Sequence, residues 1–250
     1  MITFENVSLS YGKKEILNNL NFSITKGKIT SILGPNGCGK TTLLSSFQGN
    51  VDIKGKIYIN GIDIKKYKFK DLAKIISFVP QTYPISFPYL VKDMILSGRT
   101  AHIKNIPTRK DEDIAKQYIN MLNLSDIENV PYTQISGGQR QLVFIARALC
   151  QETDIIILDE PTSYLDIKNQ ILVMSIIKKL QKKLNKTFIM TLHDPNLALS
   201  YSDEALMFQE QTIIKGISKE IINPLNIKKS YGINAQKIEI DKITFLYYKP

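Results

Sequence analysis

Residues 29–44, ITSILGPNGCGKTTLL, place an apolar run, a glycine-rich turn and a helical pattern in immediate succession. The turn carries the pattern G-x-x-x-x-G-K-[ST], which cradles phosphate when it follows a strand and opens a helix. The spacing predicts that Lys40 reaches the β- and γ-phosphates of a nucleotide and that the Thr41 hydroxyl holds Mg²⁺. A glycine-rich turn that matches by chance is the alternative, which the strand–loop–helix context disfavours. The candidate phosphate-binding residues are Asn36, Gly37, Cys38, Gly39, Lys40, Thr41 and Thr42.

Short apolar runs alternate with amphipathic ones along the chain, a pattern typical of βαβ units. Runs such as IIIL at residues 155–158 are apolar on both faces, which favours a buried parallel sheet and an α/β fold. The predicted strands are Ile29–Leu33, Ile76–Val79, Ile155–Leu158, Phe188–Leu192 and Ala205–Phe208. The predicted helices follow Gly39, Ser136 and Asp166 or cover Asp111–Leu122 and Pro195–Leu199.

Prolines interrupt a mostly helical stretch from about residue 82 to residue 150, which predicts an inserted helical subdomain. Residues from about 1 to 81 and from 151 to 215 would then form the nucleotide-binding core. From about residue 216 to residue 250 we expect short strands and a turn, in a C-terminal segment whose role the sequence leaves open.

The composition excludes few functions. The 33 Lys and Arg against 23 Asp and Glu give a net charge of +10. Such a charge is compatible with binding to nucleic acid or to an anionic membrane surface. It is also explained by basic residues that are spread over the surface without a specific partner. The last explanation is favoured. No apolar run approaches the roughly 20 residues that span a bilayer, and no signal-peptide pattern opens the chain. Since Cys38 and Cys150 do not suggest a disulfide framework, we expect a protein of the reducing cytoplasm.

The segment IIILDEPTS, residues 155–163, is an apolar run that ends in two acids. Asp159 is placed to support Mg²⁺ through water, and Glu160 lies just beyond the carboxyl end of the strand, where α/β sheets bind ligands. The predicted role of Glu160 is to orient and polarise an attacking water. A solvated carboxylate pair is the alternative.

The segment ISGGQRQLVFIARAL, residues 135–149, reads as a second helix start suited to an anion. Ser136 is an N-cap residue with Gln139 three positions later, which is a capping box. The residues between them are glycines, which allow close approach. Periodicity alone also permits an ordinary capped helix.

Together these motifs resemble those of ATP-binding cassette ATPases. GPNGCGKT, VPQ, ISGGQ, LDEP, SYLD and TLHD occur in the order found in that family, and the resemblance covers essentially the whole chain. It implies a P-loop NTPase (RecA-like) core with an antiparallel β edge and an inserted α-helical subdomain. It also implies ATP and Mg²⁺ as bound groups, in a head-to-tail homodimer. In such a dimer Ser136, Gly137, Gly138 and Gln139 face the γ-phosphate bound to the partner chain.

Four further positions carry over from the resemblance. Tyr11 looks like the aromatic that stacks on adenine, although a surface tyrosine is the alternative. Gln81 resembles the glutamine that senses Mg²⁺ and faces the membrane partner. Asp166 in SYLD resembles the acid that links the two sites across the dimer, and it also suits an N-cap. His193 in TLHD resembles the switch histidine that contacts the γ-phosphate, unless it is a core residue.

Cys38 lies inside the phosphate loop, beside Lys40 and a helix start. Such surroundings lower a thiol pKa, so we expect a reactive thiol that maleimide modifies and MgATP protects. The alternative is a loop that merely tolerates a small side chain.

Three classes of cassette ATPase compete: a transporter subunit, a chromosome or repair ATPase, and a translation-associated protein. Transport is favoured, because Gln81 and Ser136 lie 55 positions apart with no heptads between them and the chain carries one set of motifs. The segment VKDMILSGRTAH resembles the ATPases of iron-siderophore, haem and vitamin B12 importers, and molybdate or tungstate importers are also similar. The resemblance implies membrane permease subunits as direct partners, a substrate-binding protein as an indirect one and no nucleic acid.

We therefore expect a peripheral protein on the cytoplasmic face of the membrane. Tyr83, Phe87 and Tyr89 either line the groove that receives the permease or form the core of the helical subdomain.

Overall fold

The computed structural model describes residues 1–81, 87–209, 212–241 and 243–249. The strands are β1 (Ile2–Tyr11), β2 (Lys14–Ile24), β3 (Ile29–Leu33), β4 (Asp52–Ile59), β5 (Ile62–Asp63), β6 (Ile76–Val79), β7 (Ile155–Leu158), β8 (Thr187–Thr191), β9 (Glu204–Gln209), β10 (Thr212–Ile217), β11 (Asn234–Ile240) and β12 (Ile243–Lys249). The helices are α1 (Lys40–Ser45), α2 (Phe69–Leu72), α3 (Val91–Leu96), α4 (Arg109–Met121), α5 (Gly137–Cys150), α6 (Ile167–Leu184), α7 (Pro195–Tyr201), α8 (Ser218–Ile221) and α9 (Pro224–Tyr231). All five predicted strands and all five predicted helices are present, with bounds shifted by one or two residues at several ends.

The chain divides into two compact units, which are described separately. The first comprises residues 1–67 and 180–250, and the second comprises residues 68–179. The limits predicted for the core, the helical subdomain and the C-terminal segment were set from sequence motifs, whereas these two units are defined by contacts. The predicted limits therefore stay a prediction.

The first unit holds a parallel sheet core with an antiparallel edge. Strand β3 pairs in parallel with β8 and β9, and β10 adds antiparallel to β9. All residues of β3 and β8 are buried, as expected for strands covered on both faces. Strand β1 pairs antiparallel with β2 on one side and β4 on the other, in a separate sheet. The predicted α/β fold with an antiparallel β edge is therefore confirmed.

The C-terminal part of the first unit differs from the prediction. Strands β11 and β12 form an antiparallel hairpin, but helices α8 and α9 precede it, so short strands and a turn were wrong for residues 218–231. Helix α9 has Asn223 as its N-cap, Pro224 in its first turn and Gly232 in a left-handed conformation at its end. These are ordinary helix start and stop signals, and the prediction overlooked them.

The second unit combines a strand pair with helices. Strands β6 and β7 pair in parallel, in register from Ile76 opposite Ile155 to Val79 opposite Leu158. Helix α3 packs against α4 and α5. Helix α5 is buried on all sides from Leu142 to Cys150, with Arg147 half-buried within that stretch. Across the described residues, no helix has the length and apolar character to cross a membrane.

A buried ion cluster joins the helices of the second unit. The Arg99 guanidinium donates to Asp111 Oδ1 at 3.0 Å, to Glu152 Oε2 at 2.7 Å and to the Cys150 carbonyl at 2.9 Å. Arg99 is 4% exposed and Asp111 is 7% exposed. Hydrogen bonds from the Thr108 hydroxyl and backbone, followed by that from Arg99, lower the pKa of Asp111 to about 2. Because the pKa is lowered in the folded state, this contribution to stability is present above the ordinary value of 3.8 and is lost as the pH falls through about 2.

We predict that Arg99→Met lowers the free energy of unfolding by about 3 kcal/mol, because it leaves buried carboxylate without its cation. Urea unfolding followed by circular dichroism measures the change. Lys116→Met is the matched control, since its pair with Glu128 is half-exposed on the lysine side and should contribute less than about 1 kcal/mol. Equal losses in the two variants would contradict a structural role for the cluster.

Candidate nucleotide-binding site

The phosphate loop of the first unit runs from the end of β3 to the start of α1. Gly39 has φ +108°, in the region that favours glycine. A Cβ at this position would lie 2.9 Å from Leu17 Cδ2. A Cβ at Gly34 would lie 2.8 Å from both Cys38 Sγ and Phe208 Cβ. Packing against β2 and β9 therefore fixes where the loop lies and requires glycine at both ends.

The outer part of the loop is open. Asn36 and Gly37 are exposed, and a Cβ at Gly37 would have no neighbour within 4 Å. An exposed glycine-rich backbone next to a helix start is the arrangement that accepts phosphate oxygens. The residues present therefore suit the triphosphate of ATP.

Lys40 is buried, and its ammonium is held by its own loop. Its Nζ donates to the Gly34 carbonyl at 2.7 Å and to the Pro35 carbonyl at 3.0 Å. These bonds compensate for burying the charge and hold the ammonium within the loop that is predicted to bind phosphate. Thr41 is exposed at the next position, whereas Thr42 is buried.

The expectation of a low thiol pKa at Cys38 was wrong. Burial raises the pKa of Cys38 above its ordinary value of 9.0, and the opposing effect of the Lys40 charge is smaller. The sequence shows the neighbouring charge but not the desolvation, which wins here.

Tyr11 and His193 also belong to the first unit. Tyr11 ends β1 and is 48% exposed, so its ring is accessible for stacking on a base. His193 lies two residues after the buried end of β8 and is exposed, so the alternative of a core histidine was wrong. Asp194 then caps α7, with its Oδ1 accepting from Asn196 N at 2.8 Å.

The acids of the second unit lie at the end of β7. Asp159 is 7% exposed, and its N–H donates to the Val79 carbonyl at 2.8 Å. Glu160 has φ +49°, and its Oε2 accepts from Ser163 Oγ at 2.7 Å and from Gln81 Nε2. The structure thus brings Gln81 and Glu160 together, a contact that the sequence did not predict.

The helix start at Ser136 has the predicted capping box. Gln139 N donates to Ser136 Oγ at 3.3 Å, and Ser136 N donates to Gln139 Oε1 at 3.0 Å. Ser136 and Gly137 are exposed, whereas Gly138 is buried. A Cβ at Gly138 would lie 2.6 Å from Asn169 Oδ1, so this glycine lets the helix start approach Asn169.

Asp166 is an N-cap, as predicted. Its Oδ1 accepts from Asn169 N at 2.7 Å, and its Oδ2 accepts from Asn169 Nδ2 at 3.1 Å. Asn169 therefore touches both Asp166 and Gly138. Sequence reasoning missed it, and its place three residues after a capping aspartate was the available signal.

The aromatic group after Gln81 is only partly described. Tyr83 lies outside the described residues. The rings of Phe87 and Tyr89 lie 4.6 Å apart between centroids, and the residues are 62% and 49% exposed. For these two, the alternative of a subdomain core was therefore wrong.

The candidate residues fall in both units. The first unit holds Tyr11, the phosphate loop and His193, and the second holds Gln81, Asp159, Glu160, Ser136, Gly137, Gly138, Gln139 and Asp166. Their individual roles stay predictions, and Mg²⁺ ligation by Thr41, Gln81 and Asp159 is among them.

Comparison with known proteins gives consistent matches. The family model described as ABC transporter matches residues 17–163. The iron(3+)-hydroxamate import ATP-binding protein of Bacillus subtilis is 36% identical over 94% of this chain and 89% of its own length. The molybdate import ATP-binding protein of Haemophilus influenzae is 36% identical over 100% of this chain and 96% of its own.

Two solved structures have the same fold. A chain described as part of an inward-facing metal-chelate type ABC transporter superposes with a TM-score of 0.87 at 34% identity, covering 100% of this chain and 96% of that one. The ATP-binding cassette MJ0796, a dimer bound to ADP and phosphate, superposes with a TM-score of 0.73 at 28% identity, covering 87% of this chain and 99% of that one.

We predict that maleimide labels Cys38 slowly at neutral pH, because burial disfavours the reactive thiolate. The rate, followed by mass spectrometry, should still be rising at pH 9. In the Cys38→Ser control only Cys150 remains, which is fully buried, so labelling should require denaturation. A rate that levels off below pH 8 would show a lowered pKa instead.

Proposed function

Because this chain belongs to the ABC transporter family, we propose that it is the ATP-hydrolysing subunit of an importer for an iron chelate, such as a siderophore or haem, or a similar metal-containing substrate. As a member of that family it is an ATPase cassette. The observation that carries the substrate class is its 36% identity, over 94% of the chain, to an iron(3+)-hydroxamate import protein. The metal-chelate type structure supports the same class.

The phosphate loop binds the triphosphate of ATP. Its N–H groups from residue 36 to residue 42 contact phosphate oxygens, and the Lys40 ammonium exchanges its loop carbonyls for the β- and γ-phosphates. Tyr11 stacks on the adenine. Thr41 and Gln81 would hold Mg²⁺ through oxygens that suit this hard cation, and Asp159 would support it through water. When bound, the ion would supply positive charge next to the phosphates.

Glu160 orients and polarises the attacking water. Its carboxylate accepts from Gln81 and Ser163, so the position of the base depends on the glutamine. His193 contacts the γ-phosphate from its exposed position after β8. Together these groups position the water and stabilise the charge that moves in phosphoryl transfer.

A second copy of the chain completes each site. Helix α5 is 14 residues long, and its start directs N–H groups and a positive dipole end towards the γ-phosphate held by the other copy. ATP therefore binds the closed dimer more tightly than the open one. Only this difference in affinity can shift the equilibrium, and the shift moves the permease subunits.

The partners follow from this arrangement. Integral membrane permease subunits hold the cassettes at the cytoplasmic face of the membrane, and Phe87 and Tyr89 contribute exposed aromatic rings to that contact. A substrate-binding protein acts indirectly, through the permease. Nucleic acid has no part in this mechanism.

A second candidate is a molybdate importer. The molybdate import protein of Haemophilus influenzae is 36% identical over 100% of this chain. A cassette need not touch the transported substrate, so uptake decides between the two.

We predict that Glu160→Gln abolishes ATP turnover but keeps ATP binding, because the carboxamide fills the same space without acting as a base. With MgATP it should elute as a stable dimer in size-exclusion chromatography, and a monomer would count against the role of Glu160. Adding Ser136→Arg to this variant is the control. The larger cation should prevent the dimer while nucleotide binding remains.

We predict that Lys40→Ala abolishes uptake of a single substrate class, because the loop no longer binds the triphosphate productively. Cells that carry wild-type or variant protein are given labelled ferric siderophore, haem, cobalamin and molybdate in parallel. Lys56→Ala, at an exposed position on β4, is the control and should keep uptake. Unchanged uptake of all four in the Lys40 variant would reject this group of substrates.

A further inference from the structure

The C-terminal hairpin is tied to the start of α7 by one side chain. Asn196 Oδ1 accepts from the Leu246 N–H at 2.7 Å, and Asn196 Nδ2 donates to the Leu246 carbonyl at 3.2 Å. A single carboxamide thus satisfies both backbone groups of a residue on β12, and Leu246 is 3% exposed. Both partners lie in the first unit.

The residues just before Asn196 in the chain include His193, the proposed switch histidine. His193 is three positions earlier, Asp194 caps the helix through Asn196 N, and Pro195 occupies the first helical position. Proline fixes its own φ and restricts the residue before it. The backbone between Asn196 and His193 is therefore restrained, and the position of His193 depends on where α7 begins.

The C-terminal segment also borders the histidine directly. His193, Asp194 and Pro195 line a cavity of about 340 Å³ together with Tyr231, Ile233 and Tyr248. Burial, with a smaller effect of the Asp194 carboxylate, raises the pKa of Tyr248 to about 12, so its hydroxyl stays neutral beside that acid. The loop that bears His193 thus faces α9 and the hairpin.

We propose that Asn196 is a positioning residue that, through Leu246, uses the C-terminal hairpin to hold His193 in its hydrolysis-competent place. The inference rests on the proposed contact between His193 and the γ-phosphate, and it assigns a function to strands β11 and β12. The backbone of buried Leu246 anchors the carboxamide, and the carboxamide in turn anchors the start of α7.

The first test is the steady-state ATPase activity of Asn196→Ala. We expect kcat to fall about tenfold with KM for ATP unchanged, because a misplaced catalytic group affects the chemical step. Asn226→Ala is the matched control. Asn226 also joins two segments of the first unit through its carboxamide, to Ile221 O at 2.8 Å and Gln209 Nε2 at 3.0 Å, and it does not border the cavity. It should lose comparable stability and keep kcat.

A double-mutant cycle shows whether Asn196 acts through His193. If it does, Asn196→Ala causes no further loss of kcat in the His193→Ala background. An equal loss in both backgrounds, or none in either, overturns the proposal. If His193→Ala alone keeps kcat, the proposed role of the histidine fails. If only the Asn196 variant keeps it, the positioning role fails and that of the histidine stands.

Hydrogen exchange at the Leu246 amide gives a readout independent of activity. This N–H should exchange faster in Asn196→Ala and keep its protection in Asn226→Ala. Unchanged protection in the Asn196 variant would show that the carboxamide does not hold the hairpin, and it would overturn the proposal.

Discussion

The close packing of side chains against the glycine backbone at the two ends of the phosphate loop is the constraint on which the first unit depends. At Gly34 a single added carbon would meet both Cys38 Sγ and Phe208 Cβ at 2.8 Å, and at Gly39 it would meet Leu17. Strands β9 and β2 thus set the path of the loop, and the burial of β3 makes its origin rigid. Because the path is fixed before ligand arrives, the N–H groups need little reorganisation to bind phosphate.

In the second unit, local hydrogen bonds rather than close packing fix the positions of the candidate residues. Glu160 holds a left-handed backbone conformation, which is uncommon outside glycine, and its carboxylate is fixed by Ser163 and Gln81. The capping box engages the N–H groups of Ser136 and Gln139, not those of the glycines between them. Side chains therefore shape the helix start, and the backbone of Gly137 lies at its exposed end.

The sequence predicted those features whose cause is local. IIIL is apolar on both faces and forms β7 with the predicted bounds, and Ser136 with Gln139 forms the predicted box. It did not predict the raised pKa of Cys38, since desolvation depends on distant elements packing over the loop. Nor did it predict the bonds from Asn196 to Leu246, which join residues 50 positions apart. A cassette need not contact the transported substrate, so no sequence pattern in this chain is required to specify that substrate.

Three of the candidate loops outside the phosphate loop lead into helices that a side chain caps. Ser136 caps α5, Asp194 caps α7, and Asp166 accepts from the first turn of α6. A cap joins the loop backbone to a rigid helix through a short side chain, so the residues just before it take their position from that helix. The loop that bears His193 has an additional restraint, because the helix that follows it, α7, is hydrogen-bonded to β12 through Asn196. In the proposed cycle, in which two copies assemble each site anew, such loops would need to change little between open and closed dimers.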